Sequence, residues 1–247
     1  METNAQDLHK APLNGWKHYF YEFLMLFLAV YCGFIAENIR EAKVEREREK
    51  VYMENLFQDL KDDTTNFSVY VKSTYDFLCS VDTLMVLMKS PDRNEHLNKI
   101  YYLARMASAR STSFFFPNER TFDQMKSSGY LRLISNRQVG DSVSGYYNSL
   151  KRVIFQNEFI SNRMSYYMGE AGNVFDASLF FKILKEKKEQ DADKPKLMTD
   201  DPMMINKMLV QLQYYYGSCM IQNKICAQRL LTARNLIELV KKEYHFE

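Results

Sequence analysis

Apolar residues are distributed along this chain in two distinct ways. From Tyr19 to Ala36 the run YFYEFLMLFLAVYCGFIA is apolar on every side, and Glu22 is the one charged residue in eighteen. As a helix it is about 27 Å long, close to the ~30 Å hydrocarbon thickness of a bilayer. A cleaved signal would be shorter, with a basic leader and a small-x-small site, and Glu37 and Asn38 continue the helical pattern without a break. The pattern predicts a transmembrane helix over 19–36, after an N-terminal tail over 1–18.

Beyond the span the apolar residues contract to a stripe. No Gly or Pro occurs from Phe34 to Ser90, so one helix is expected to run on to Lys89. Its first part, 37–62, alternates in sign (ENIREAKVEREREK) and reads as a charged stalk, with Glu37/Arg40, Glu45/Arg48, Glu47/Lys50 and Lys43/Glu47 placed for ion pairing. Met53, Phe57, Leu60, Thr64, Phe67, Val71, Thr74, Leu78, Val81, Met85 and Met88 follow spacings of 4 and 3, as in a coiled-coil seam. Asp62-Asp63-Thr64-Thr65 is the point where that helix could break, since short polar side chains compete for backbone hydrogen bonds.

Ser90-Pro91 ends this helix. Asp92 with Glu95 reads as a capping box for a shorter helix over 93–110. The loop STSFFFPN precedes a short helix over 119–127 that stops at Gly129. Ser135 is the expected cap of a helix with the stripe Val139, Val143, Tyr146, Leu150, Val153, Asn157, Ile160, Met164, Tyr167, Ala171 and Val174. A flexible charged linker is expected over about 185–200. Asp201-Pro202 then opens a last helix whose stripe runs Ile205, Leu209, Leu212, Tyr216, Cys219, Asn223, Cys226, Leu230, Ala233, Ile237, Val240 and Tyr244. Each stripe buries only against another helix. The expected fold is all-α: a transmembrane helix, a stalk helix and an antiparallel, coiled-coil-like four-helix bundle over 63–247.

Composition agrees with long helices, since the 247 residues hold only 8 Gly and 5 Pro. A net charge of +2 provides no field for nucleic acid, and none is expected as a partner. Of four cysteines Cys32 lies in the span, and Cys79, Cys219 and Cys226 make no disulfide framework and read as buried structural thiols. His9, His18, His96 and His245 show no HxxxH or ExxH spacing, and phosphate-loop and nucleophile-elbow motifs are missing. No catalytic residue, metal or cofactor is expected, and the chain reads as a non-enzyme.

Five places remain as candidates for function or packing. Glu22 sits one turn inside the boundary marked by Trp16, Lys17, His18 and Tyr19, and suits an interfacial or helix-packing role. Gly33 and Ala36 permit close approach of a second helix. Phe114, Phe115 and Phe116 cannot all face one way, so at least two anchor the core while a partner surface is the other use. Asn157 and Asn223 interrupt apolar seams, where a buried amide fixes register.

Two segments, YEFLMLFLAVYCGFIAENIREAKVEREREKVYMENLFQDLKDD and TFDQMKSSGYLRLISNRQVGDSVSGYYNSL, together resemble an uncharacterised family of single-pass membrane proteins of Bacteroidetes. The shared stretch is Lys-Ser-Ser-Gly-x-Leu-x-Leu-Ile, here Lys126, Ser127, Ser128, Gly129, Leu131, Leu133 and Ile134. The resemblance implies anchoring in the bacterial inner membrane and a helical domain, and no established activity. It covers about half of the chain. Lys and Arg number two before the span and five just after it, a bias that retains the domain in the cytoplasm. The strongly basic N-termini of the resembling proteins would send it to the periplasm, the side this reading leans to.

The sequence therefore predicts a membrane-anchored helical module for partner binding or signalling, with the lipid bilayer and a second copy or another membrane protein as partners. The other reading is an oligomeric channel or transport component built on the span and Glu22.

Overall fold

A computed structural model describes residues 15–109, 114–190 and 195–246, all as helix or connecting segments with no strand among them. His9 and Lys10 lie outside the described residues. Helix α1 runs over Gly15–Lys89, α2 over Leu97–Ala109, α3 over Arg120–Ser127, α4 over Arg137–Ala171, α5 over Ala177–Glu186 and α6 over Pro202–Tyr244. Single 3₁₀ turns occupy Arg93–His96 and Tyr130–Leu133. The chain divides into two units, residues 1–50 and 51–247.

In the first unit the described residues are entirely helical, and the most apolar 18-residue window of α1 has 0% of its residues buried. This is one helix long and apolar enough to cross a membrane. Phe23, Phe27 and Tyr31 stack at 6.3 and 6.1 Å along one side of it. Glu37 accepts two hydrogen bonds from the Arg40 guanidinium, as the spacing predicts.

The second unit holds all of the core. Its packing starts at Met53, Leu56, Phe57 and Leu60, which are fully or nearly buried, so the bundle reaches into the segment assigned to the stalk and begins before position 63. Leu78–Met88 of α1 join α2, the second half of α4 and the first half of α6 in one apolar cluster. Met53–Tyr70 join α3, the first half of α4 and the second half of α6 in another. Along this core α1 and α4 therefore run parallel, with α6 antiparallel to both. The remaining column is broken: α2 returns along α1, and Phe115 followed by α3 continues beside the other half. Pro117 explains the break, because it lacks an N–H and disfavours helix in the residue before it.

The polar stretch at 62–65 leaves α1 unbroken as far as Lys89. Thr64 and Thr65 hydroxyls donate to the Lys61 carbonyl within the turn, Asp62 accepts from the Gln58 side chain, and Asp63 is engaged by groups on other elements. With their hydrogen bonds made locally or elsewhere, these side chains leave the helical backbone intact. The seams are also turned by part of a residue. α1 buries the heptad positions Met53, Leu60, Phe67, Thr74, Val81 and Met88, adding Leu56, Asp63, Tyr70 and Leu84, while Thr64, Val71 and Met85 are only half-buried. In α6, Tyr215, Gln222 and Leu236 are buried in place of Tyr216, Asn223 and Ile237. The α4 stripe is buried throughout, joined by Tyr147.

Several caps differ from expectation. Asp92 makes no side-chain cap and instead contacts the Ser90 hydroxyl and His96. Asn136, one residue after Ser135, caps α4 by accepting from the Gln138 and Val139 amides. Helix α5, capped by Asp176, occupies what the sequence left between a helix and a linker. The charged stretch is pinned at its edges: the Lys196 carbonyl accepts from the Tyr101 hydroxyl and the Met198 amide donates to Val174. Asp201 caps α6 with Pro202 at its first turn, as expected. Cys219 and Cys226 are buried, and burial pushes the Cys226 thiol up to about 12. Cys79 is exposed, against the expectation of a buried thiol.

Gly129 is left-handed, with φ of 75° and open space around an added Cβ, whereas Gly145 lies within α4 with equally open space. Gly129→Ala should therefore destabilise the fold by about 1 kcal/mol through backbone strain, while Gly145→Ala should stabilise it by up to ~1 kcal/mol through helix propensity. Chemical denaturation of the two variants beside the wild type checks both signs.

Candidate functional site

A helix broken in the middle of a bundle leaves amides and carbonyls without partners, and a buried backbone group without one is costly. The side chains that answer this cost cluster around residues 114–121. Asp59 is fully buried on α1; its Oδ1 accepts from the Asn118 side-chain amide at 2.8 Å and from Arg120 Nη2 at 2.9 Å, and its Oδ2 from the Thr121 amide at 3.1 Å. One turn on, Asp63 is also fully buried. Its Oδ1 accepts from the Asn118 backbone amide at 2.8 Å and its Oδ2 from the Tyr146 hydroxyl of α4 at 2.8 Å. Two carboxylates thus receive five donors, four of them from the short stretch that opens α3. Negative charge at that end also complements the α3 dipole.

A second amide layer lies beside this clasp. Asn157 on α4 donates through Nδ2 to the Phe115 carbonyl at 2.9 Å, and Gln222 on α6 donates through Nε2 to Asn157 Oδ1 and to the Val153 carbonyl. With buried Thr74 of α1, these residues mark the level at which the apolar core divides in two. The seam amide in α6 is therefore Gln222 rather than Asn223, because the helix is turned toward the preceding position.

The clasp changes the chemistry of its own members. Burial pushes the Asp63 carboxyl up to about 6; the Asn118 N–H and Tyr146 O–H oppose this, and the charges of Asp59 and Glu119 add to it. Burial and the nearby Asp63 push the Tyr146 phenol up, and burial foremost does the same for Tyr147, whose ring stacks on Phe122 at 4.3 Å. Glu119 is likewise pushed up, by burial and then by Asp123.

Of the three phenylalanines, Phe115 is buried and stacks on Phe67 at 3.8 Å with Tyr70 at its edge. Phe114 packs half-buried against the core, while Phe116 is 68% exposed beside a groove of about 390 Å³ that includes Asn66, Val69 and Tyr70. Glu22 is exposed and faces His18 Nε2 at 3.4 Å. Gly33 has open space around an added Cβ, and Ala36 is exposed. The structure therefore brings Phe114–Phe116 to the clasp and leaves Glu22, Gly33 and Ala36 on the apolar helix of the other unit. No group of three or more His, Cys, Asp or Glu side chains suited to a metal ion occurs among the described residues.

Comparison of the chain with protein-family models, with curated proteins and with solved structures finds no match in any of the three.

Asp59→Ala should destabilise the fold by about 2–3 kcal/mol, because it strands the buried Thr121 and Asn118 donors. Arg120→Ala should cost under ~1 kcal/mol, since that guanidinium side chain is 76% exposed. Urea midpoints for the two variants test the difference; equal losses would contradict a role centred on the backbone.

Proposed function

We propose that this chain is a membrane-anchored helical module that works by engaging a partner rather than by catalysis. The observation that carries the reading is the contrast between its two units. Val51–Phe246 bury their apolar stripes within the protein, whereas none of residues 19–36 is buried among the described residues. Eighteen residues of that character are stable where lipid replaces water. Trp16, Tyr19 and Tyr21 then sit at the headgroup level, with Glu22 and His18 close enough to the boundary to keep their polar atoms hydrated. The bacterial inner membrane is the host that the family resemblance supports.

The non-enzymatic reading is supported by the employment of the buried polar groups. Asp59, Asp63, Asn157 and Gln222 are engaged by backbone amides, carbonyls and a phenol within the fold. Their geometry serves to hold the broken column in place. Phe116 and its groove supply the apolar, accessible surface that a protein partner would take up.

Full-length protein expressed in bacteria should sediment with membranes, resist an alkaline carbonate wash and be released by detergent. Leu26→Arg with Val30→Arg, each costing about 2.5–3.5 kcal/mol at the centre of a span, should abolish that retention. Wild-type protein that stays in the supernatant without detergent, or a doubly substituted protein that remains carbonate-resistant, would overturn the anchored reading.

A further inference from the structure

The clasp joins two long helices to a segment that has no secondary structure of its own. Residues 114–119 are irregular, and their hold on the bundle is concentrated in few contacts: Phe115 in its aromatic slot, its carbonyl on Asn157, and Asn118 on the two carboxylates. Asp63 of α1 bonds to the segment's backbone and, through the Tyr146 hydroxyl, to α4 on the far side. We propose that Asp63 is a proton-controlled latch: protonated, it holds residues 114–119 closed on the bundle; ionised, it lets them open.

Charge around Asp63 makes the neutral form the better fit. Asp59 faces it from α1 and Glu119 from the segment, and Tyr146 and Tyr147 face it from α4; Asp123 of α3 acts on Glu119 and Tyr147. Arg120 is bound to Asp59, and Arg229 of α6 lies within electrostatic reach of the Tyr146 hydroxyl. An ionised Asp63 gives up hydration in a buried place beside another carboxylate, and two neutral donors compensate only in part. A protonated Asp63 keeps both contacts: its carbonyl oxygen accepts from the Asn118 amide, and its hydroxyl donates to the Tyr146 oxygen, which turns from donor to acceptor.

The direction of the pH effect follows from linkage. The carboxyl holds its proton up to about 6 in the closed state, against an ordinary value of 3.8. Closing therefore takes up a proton between these values. The stabilisation is complete below the ordinary value and is lost as pH rises through about 6. From about pH 5 to about pH 7.5 the closing equilibrium should weaken about tenfold.

Hydrogen exchange on the full chain in detergent micelles tests this, read by mass spectrometry on a peptide that contains the Asn118 and Thr121 amides. After correction for intrinsic exchange, opening should be about tenfold more frequent at about pH 7.5 than at about pH 5. Asp63→Asn places an amide where the protonated acid would be, donating to Tyr146 and accepting from Asn118; it should remove the pH dependence and keep the segment closed. Tyr146→Phe removes a donor that favours the ionised form and should move the midpoint upward. Opening that is independent of pH in the wild type, or a pH dependence that persists in Asp63→Asn, would overturn the latch.

Discussion

The fold depends on a conflict inside its own core. Three long helices need a fourth column to cover their stripes, and the chain supplies that column in two pieces, α2 and α3, with Phe114–Pro117 between them. Breaking a helix within a bundle exposes backbone groups where water has limited access. Asp59, Asp63 and Asn157 resolve the conflict by reaching from the intact helices to the amides and carbonyl at the break. Such buried groups are stable because the amides and the Tyr146 hydroxyl they meet are held by the fold, and removing one partner leaves another stranded. The same contacts set the axial register of α1 against α4, since Tyr146 and Asn118 meet at one carboxylate.

The sequence made much of this architecture legible, and the reason is periodicity. Heptad positions 53, 60, 67, 74, 81 and 88 all lie in the core, and the whole stripe expected in α4 is buried. What periodicity leaves open is the second position of each heptad. A helix flanked on two sides buries residues three after each heptad position as well as four, which is why Tyr215 and Gln222 replaced Tyr216 and Asn223. Helix α5 escaped notice because only Ile183 of its ten residues is buried, so it carries almost no stripe.

The clasp itself was not legible. Asp62-Asp63-Thr64-Thr65 looked like a helix breaker because the partners of Asp63 lie 55 and 83 residues away. No local rule connects an acid in one helix with an amide after Pro117. One signal was available: an acid at position 63 falls three residues after Leu60, on the side of α1 that a 3-then-4 seam would bury. The phenylalanine cluster was legible in part: three successive side chains cannot share one direction, so at least two were expected to anchor the core, while which ring faces outward, Phe116, came from the structure.

The other unit follows simpler physics. Its aromatic and aliphatic residues are exposed around the helix, which is long and apolar enough to cross a membrane. Trp16, the protein's single tryptophan, sits at the start of that helix and is 81% exposed, which makes it a built-in depth gauge. The most direct measurement is quenching of its fluorescence in vesicles containing lipids brominated at different depths along the acyl chain. The anchored account predicts a blue-shifted emission, quenched most strongly by bromine placed nearest the headgroups. Emission typical of water, unaffected by bromine at any depth, would contradict it.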